Sequence, residues 1–163
     1  MELRSVEAIV EALNQCRARY FIVGGLAVNA HGYVRMTRDV DIVVQLTRDN
    51  ILSALNALFS IGYRMAIPVT AEEFADPRTR ESWRNEKNML VLKLWSDAHG
   101  RTPIDIFVYE PFDFSTEETR KCALQLNDHL TAPVVSLQTL LDMKRDAGRP
   151  QDRIDIEELT RIP

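Results

Sequence analysis

At 163 residues and 45% hydrophobic content, the chain can bury a sizeable core as one domain and is too apolar to stay disordered. A formal net charge of -4 argues against nucleic-acid binding by bulk electrostatics. No apolar run reaches the roughly 18 residues that cross a bilayer, and the opening MELRSVEAIVEALNQ has acidic residues at helical spacing where a signal peptide is basic and then apolar, so a soluble cytoplasmic protein with no membrane partner is expected.

Val6, Ile9, Val10 and Leu13 recur on one helical face and predict an amphipathic helix over about residues 4–17. Residues 20–23 are apolar and largely aromatic or β-branched, and Gly24-Gly25 stops them, the pattern of a short buried strand before a tight turn. A short helix over 26–30 closes at Gly32, and 40–44 reads as the next strand. Thr47 and Asp49 offer helix-start chemistry before Ile51, Leu52, Leu55, Leu58 and Phe59. The segment 65–87, bracketed by Pro68 and Pro77 and rich in arginine, is expected as a surface loop or short-helix excursion.

Two strands at 89–95 and 104–109, joined by the polar SDAHGRTP, suit a hairpin, and a weaker pair is expected between Cys122 and Val135. Leu137, Leu140, Leu141 and Lys144 share one helical face, and Gly148 and Pro150 introduce a last short helix carrying Ile156 and Leu159. The expected class is α+β: one mixed β-sheet flanked by helices in a single domain over 1–163, with a core of about 1–110 and a helical C-terminal extension over about 111–163. Cys16 and Cys122 stand far apart without zinc-site spacing and are expected as small buried residues.

Side chains alternate along a strand, so Asp39 and Asp41 point the same way while Val40 and Ile42 enter the opposite layer. Two like charges so placed need a compensating cation or proton. Carboxylate oxygens suit Mg²⁺, which is often held jointly by a few carboxylates and substrate phosphates. Asp105 interrupts another strand run, PIDIFVYE, in the same fashion, and adjacent strands would bring the three together at the edge of the sheet. The alternative is an exposed Asp39, an Asp41 paired with arginine and a turn-capping Asp105. The glycine pair before a helix start can cradle phosphate, with Arg35, Thr37 and Arg38 as further donors. The glycines fit neither the dinucleotide fingerprint nor the P-loop.

These residues carry a resemblance. Gly24-Gly25, thirteen residues, then Asp39 and Asp41, with Asp105 on a later strand, resemble the signature of the nucleotidyltransferase superfamily. GGLAVNAHGYVRMTRDVDIVV together with LLDMKRDAGRPQDRIDIEEL resembles more closely its AbiEii-like branch of minimal enzymes, which includes toxins of toxin-antitoxin pairs. The resemblance implies the nucleotidyltransferase fold and transfer of NMP from an NTP, such as ATP, to an acceptor hydroxyl on RNA (such as the tRNA acceptor end) or protein, with an antitoxin partner. It implies two Mg²⁺ ions: Asp39 and Asp41 would hold metal at the triphosphate, Asp105 would complete the second site and help activate the hydroxyl, and Gly24 and Gly25 would cradle phosphates. Small-molecule antibiotics are the second acceptor class, and a non-catalytic nucleotide-binding module and a metal-dependent phosphodiesterase are the competing functions.

Lys144 continues an apolar stripe, so its ammonium needs a partner: either a nucleotide phosphate in the cleft or an internal ion pair with Asp152. Asp152 matches a place in the branch's C-terminal motif, and Arg149 is expected to face solvent. His31 reads as a packing or capping residue, and Trp83 either anchors its segment or stacks a base beside the Arg78, Arg80, Arg84 and Lys87 cluster, the feature that favours an RNA acceptor.

Overall fold

The computed structural model describes residues 1–162. Its first half runs α1 (Leu3–Gln15), β1 (Tyr20–Ile22), α2 (Gly24–Ala30), β2 (Val40–Val44), α3 (Arg48–Ser60), β3 (Arg64–Met65), α4 (Ala71–Ala75) and α5 (Pro77–Lys87). The second half runs β4 (Val91–Trp95), β5 (Ile104–Phe107), α6 (Phe114–Arg120), β6 (Cys122–Asn127), β7 (Leu130–Val134), α7 (Leu137–Ala147) and α8 (Pro150–Arg161). The α+β class and the mixed sheet flanked by helices are as the sequence predicts.

Seven strands form one sheet in the order β3-β4-β5-β2-β1-β7-β6. The β1–β7 and β2–β5 pairs are parallel and the others antiparallel. The C-terminal segment therefore supplies two strands of the same sheet as well as helices. Val6, Ile9, Val10 and Leu13 of α1 and Ile51, Leu55 and Leu58 of α3 join a core with Phe21, Ile22, Ile42, Val43 and Ile106. No described helix is long and apolar enough to cross a membrane.

Of the loop and short-helix forms expected over 65–87, the segment takes helices at 71–75 and 77–87: Thr70 and Glu73 make a capping box on α4, and Asp76 caps α5 ahead of Pro77. Other local expectations are corrected. The short β3, and α6 with its Asp113 cap, were not foreseen, because a two-residue strand and a seven-residue polar helix carry almost no periodicity. Cys122 is exposed on β6, the last strand of the sheet, and Cys16 is only half-buried, so neither fills the core.

Trp83 is an anchor. It is 5% exposed and stacks near-parallel on Phe74, with ring centroids 6.4 Å apart. Arg80 is buried too: it donates to the Phe74 carbonyl at 2.6 Å, which removes it from the surface basic cluster. Burial also holds the Arg80 pKa below the usual arginine value. Truncating an anchor leaves a cavity, so Trp83→Ala should lower unfolding free energy by about 3–5 kcal/mol in urea denaturation. A loss below about 0.5 kcal/mol, the size of a surface substitution, would instead mean an exposed stacking platform.

Candidate functional site

The site forms where β2 and β5 begin and β1 ends. Parallel pairing sets Asp41 of β2 directly beside Asp105 of β5, while Asp39 stands one residue ahead of β2. Ligand-capable atoms of Asp39, Asp41 and Asp105 all lie within 4.8 Å of one another. Because β2 is the central strand of seven, the cluster sits at the end of the sheet's middle strands and not at its edge.

Gly24 closes the other side. Its φ of +63° is one that side chains rarely adopt, and an added Cβ would fall 1.9 Å from Asp41 Oδ2. At Gly25 an added Cβ would fall 2.4 Å from Thr37 Oγ1 and 3.3 Å from Arg35 Nη1. Both positions thus require glycine for close approach of backbone to the acidic cluster and to the 31–39 loop.

Burial pushes the Asp41 pKa up, with the charges of Asp39 and Asp105 adding to it, to about 6; Arg149 and the Gly25 amide pull the other way. Lys93 of β4 reaches Asp105 from across the sheet, 2.9 Å from Oδ1 and donating to Oδ2 at 3.2 Å. Hydrogen bonding to Asp105 raises the Lys93 pKa above the usual lysine value. The Lys93 ammonium thus touches both oxygens of the buried Asp105 carboxylate.

Three hard oxygen donors and a glycine cradle fit a divalent cation such as Mg²⁺. Asp39, Asp41 and Asp105 are the residues that would hold it.

Behind this cluster lies a buried ionic network. Lys144, its side chain 5% exposed, donates to Asp152 Oδ1 at 3.1 Å and Asp155 Oδ2 at 2.6 Å. Arg35 donates to Asp155 through Nε at 2.7 Å and Nη2 at 2.8 Å, and Arg149 Nε donates to Asp152 Oδ2 at 2.7 Å. Burial would raise the pKa values of Asp152 and Asp155, but hydrogen bonds from these cations bring both below the usual carboxylate range. The Lys144 ammonium is therefore engaged by the ion pair with Asp152 weighed from sequence, and by Asp155, which was not.

Arg35 is clamped as well. Its backbone N–H donates to Asn29 Oδ1 and its carbonyl accepts from Asn29 Nδ2, both at 3.0 Å. Thr37 Oγ1 lies 3.5 Å from Asp39 Oδ1, and Arg38 is exposed next to the cluster. His31 ends α2, and its Nε2 bonds the Val135 carbonyl at 2.8 Å, a packing role.

A cleft of about 640 Å³ opens over these residues. Gly24, Asp41 and Asp105 line it with Lys144 and Arg149 at the polar end, and Leu90, Phe107, Tyr109, Leu140 and Met143 form apolar walls. Arg149 is 72% exposed in its side chain, as expected of a solvent-facing residue, yet it borders this cleft and biases Asp41. Arg84 borders it too, 4.1 Å above the Tyr109 ring. A hollow of about 500 Å³ between α1 and α3 offers only Glu11, Gln15, Ser60 and Cys16 as polar groups and gathers no such cluster.

Sequence reading missed Lys93 and Asp155. Lys93 was discoverable from the alternation of VLKLW, which puts its one charge on a single strand face; Asp155 sits one helical turn after Asp152.

No family model matches the sequence, and no curated protein matches it. Solved structures do match in fold. The lincosamide antibiotic adenylyltransferase LnuA, lincomycin-bound, has a TM-score of 0.65 at 15% identity, covering 98% of this chain and 97% of that one. ANT(2")-Ia in complex with adenylyl-2"-tobramycin has a TM-score of 0.60 at 12% identity over 96% and 86% of the two chains. An antigenic nucleotidyltransferase-like protein from Paracoccidioides brasiliensis has a TM-score of 0.54 at 18% identity over 98% and 74%. At such identities the likeness establishes a shared fold.

Two expectations follow from the charges. Asp41 has a folded pKa of about 6 against an ordinary 3.8, so its contribution to stability is complete below about pH 4 and is lost as pH rises through 6. In chelator near pH 7.5, Asp41→Asn should therefore stabilise the protein by about 1–3 kcal/mol, a gain that fades toward pH 4; thermal melts across pH measure it. Lys144→Ala leaves Asp152 and Asp155 short of a buried cation and should cost about 3–5 kcal/mol, read by urea denaturation without nucleotide. A phosphate contact alone would leave nucleotide-free stability unchanged.

Proposed function

We propose that the chain is an Mg²⁺-dependent nucleotidyltransferase that moves NMP from an NTP to an acceptor hydroxyl. The observation that carries this is the convergence of Asp39, Asp41 and Asp105 within 4.8 Å, in a fold shared with the adenylyltransferase LnuA. In the reaction the acceptor oxygen bonds the α-phosphorus, the bond to the bridging oxygen of the β-phosphate breaks, and pyrophosphate leaves. Bound Mg²⁺ supplies the charge that offsets both the carboxylates and the triphosphate. Asp39 and Asp41 hold the metal end of the triphosphate, Gly24 and Gly25 leave room for phosphate oxygens against the backbone, and Asp105 accepts the hydroxyl proton or orients the hydroxyl. Exposed Arg38, one residue before Asp39, and Arg149, which lines the cleft while donating to Asp152, are the cations offered to an incoming phosphate, while Arg35 and Lys144 hold the surrounding frame through Asp155.

A small hydroxylated acceptor is the better supported class. A cleft of about 640 Å³ matches a small-molecule site, and the loss of Arg80 to the interior thins the basic cluster that favoured RNA. The lincomycin and adenylyl-2"-tobramycin named with two of the solved structures point the same way. RNA or protein acceptors in a toxin-antitoxin setting form the second reading, carried by the AbiEii-like resemblance over residues 20–45 and 137–159.

The test incubates the protein with each α-labelled NTP and Mg²⁺ in three arms: hydroxylated antibiotics, total cellular RNA, and total protein. Label should appear on a small acceptor and fall by about a hundredfold or more in Asp39→Asn and in Asp105→Asn. Label on RNA or protein instead selects the second acceptor class. NTP binding without label on any arm would leave a non-catalytic binding module, and cleavage without an NTP donor a phosphodiesterase.

A further inference from the structure

Among the described residues, the acidic cluster makes one ion pair, between Lys93 and Asp105. Strand register creates it. Lys93 faces Asp105 across the antiparallel β4–β5 pair, and Asp105 faces Asp41 across the parallel β5–β2 pair, so a cation and two carboxylates lie in one row over three strands. Alternation sends the flanking Leu92 and Leu94 into the core on the other face. The Lys93 ammonium spans both Asp105 oxygens, at 2.9 and 3.2 Å. No comparable cation touches Asp39 or Asp41 among the described residues.

We infer that Lys93 is a built-in countercation for Asp105, so that without nucleotide the site takes one divalent ion at Asp39 and Asp41 and takes a second at Asp105 only when Lys93 withdraws. This rests on the metal-site reading above. An ammonium and a divalent ion cannot share the same carboxylate oxygens without strong repulsion. The Lys93 side chain is 49% exposed on a flexible stem, so it can swing into solvent without unpacking the core. Lys93 acts as a positioning residue: it neutralises part of the cluster in the resting state and makes the second metal conditional.

Titration of the full chain with Mn²⁺, following free Mn²⁺ by electron paramagnetic resonance without nucleotide, tests this. Wild type should bind one ion tightly and a second at least about tenfold more weakly. Lys93→Met should tighten the second ion by about tenfold or more, the direction expected when a nearby unit charge is removed. Lys93→Arg, which keeps the charge, should retain the wild-type pattern, and circular dichroism melts confirm that all three fold. Two ions of equal affinity in wild type, or a second affinity unchanged in Lys93→Met, overturns the role of Lys93 and leaves nucleotidyl transfer standing if label transfer is intact. Absence of Mn²⁺ binding in every variant overturns the carboxylate site itself, and this inference with it.

Discussion

Mutual repulsion among Asp39, Asp41 and Asp105, held within 4.8 Å at the end of central strands, is the constraint around which the neighbouring structure is arranged. A stable protein would ordinarily separate three such groups or leave them in water. Here the backbone pairing of β2 with β5 fixes two of them side by side, and burial, with the neighbouring charges of Asp39 and Asp105 adding to it, raises the Asp41 pKa to about 6. The compensation on hand is partial: Lys93 touches one carboxylate, and Arg149 acts from a distance. The remaining negative charge is what would favour a cation under the proposed function.

The surroundings divide into a rigid half and an open half. On the rigid side, Asp155 joins Arg35 of the loop before β2 to Lys144 of α7, and Asp152 joins Lys144 to the start of α8. Each buried ion gives up hydration to enter such a network, so the network as a whole stabilises far less than the loss of one partner would cost. It fixes the loop that leads into Asp39 by fastening it to the C-terminal helices, which are themselves tied to the sheet through β7. On the open side, apolar residues of β5 and α7 and the Arg84–Tyr109 stack border a cleft with room for a ligand.

Some of this was written in local patterns. The stripes of α1, α3 and α7 come from 3.6-residue periodicity, and the Asp39–Asp41 pair and Gly24-Gly25 stand out because charge and missing side chains are rare beside buried strands. Helices α4 and α5 left signals of another kind, the Thr70–Glu73 and Asp76–Pro77 caps, in a segment whose polarity left loop and short helix both open. The place of Trp83 needed the fold, since a lone aromatic among arginines is compatible with an exposed or an inward ring until Phe74 is seen beneath it.

By itself the sequence determined the α+β class, the main amphipathic elements and the three aspartates with their glycine turn, because each depends on residue type and spacing within a few turns or strands. Only the tertiary structure decided that the cluster lies at the sheet's centre, that Lys93 is paired to Asp105, and that Arg35 and Lys144 are bound to Asp155. Those partners lie 12, 120 and 11 residues apart, and strand register and helix packing, which local spacing does not encode, bring them together.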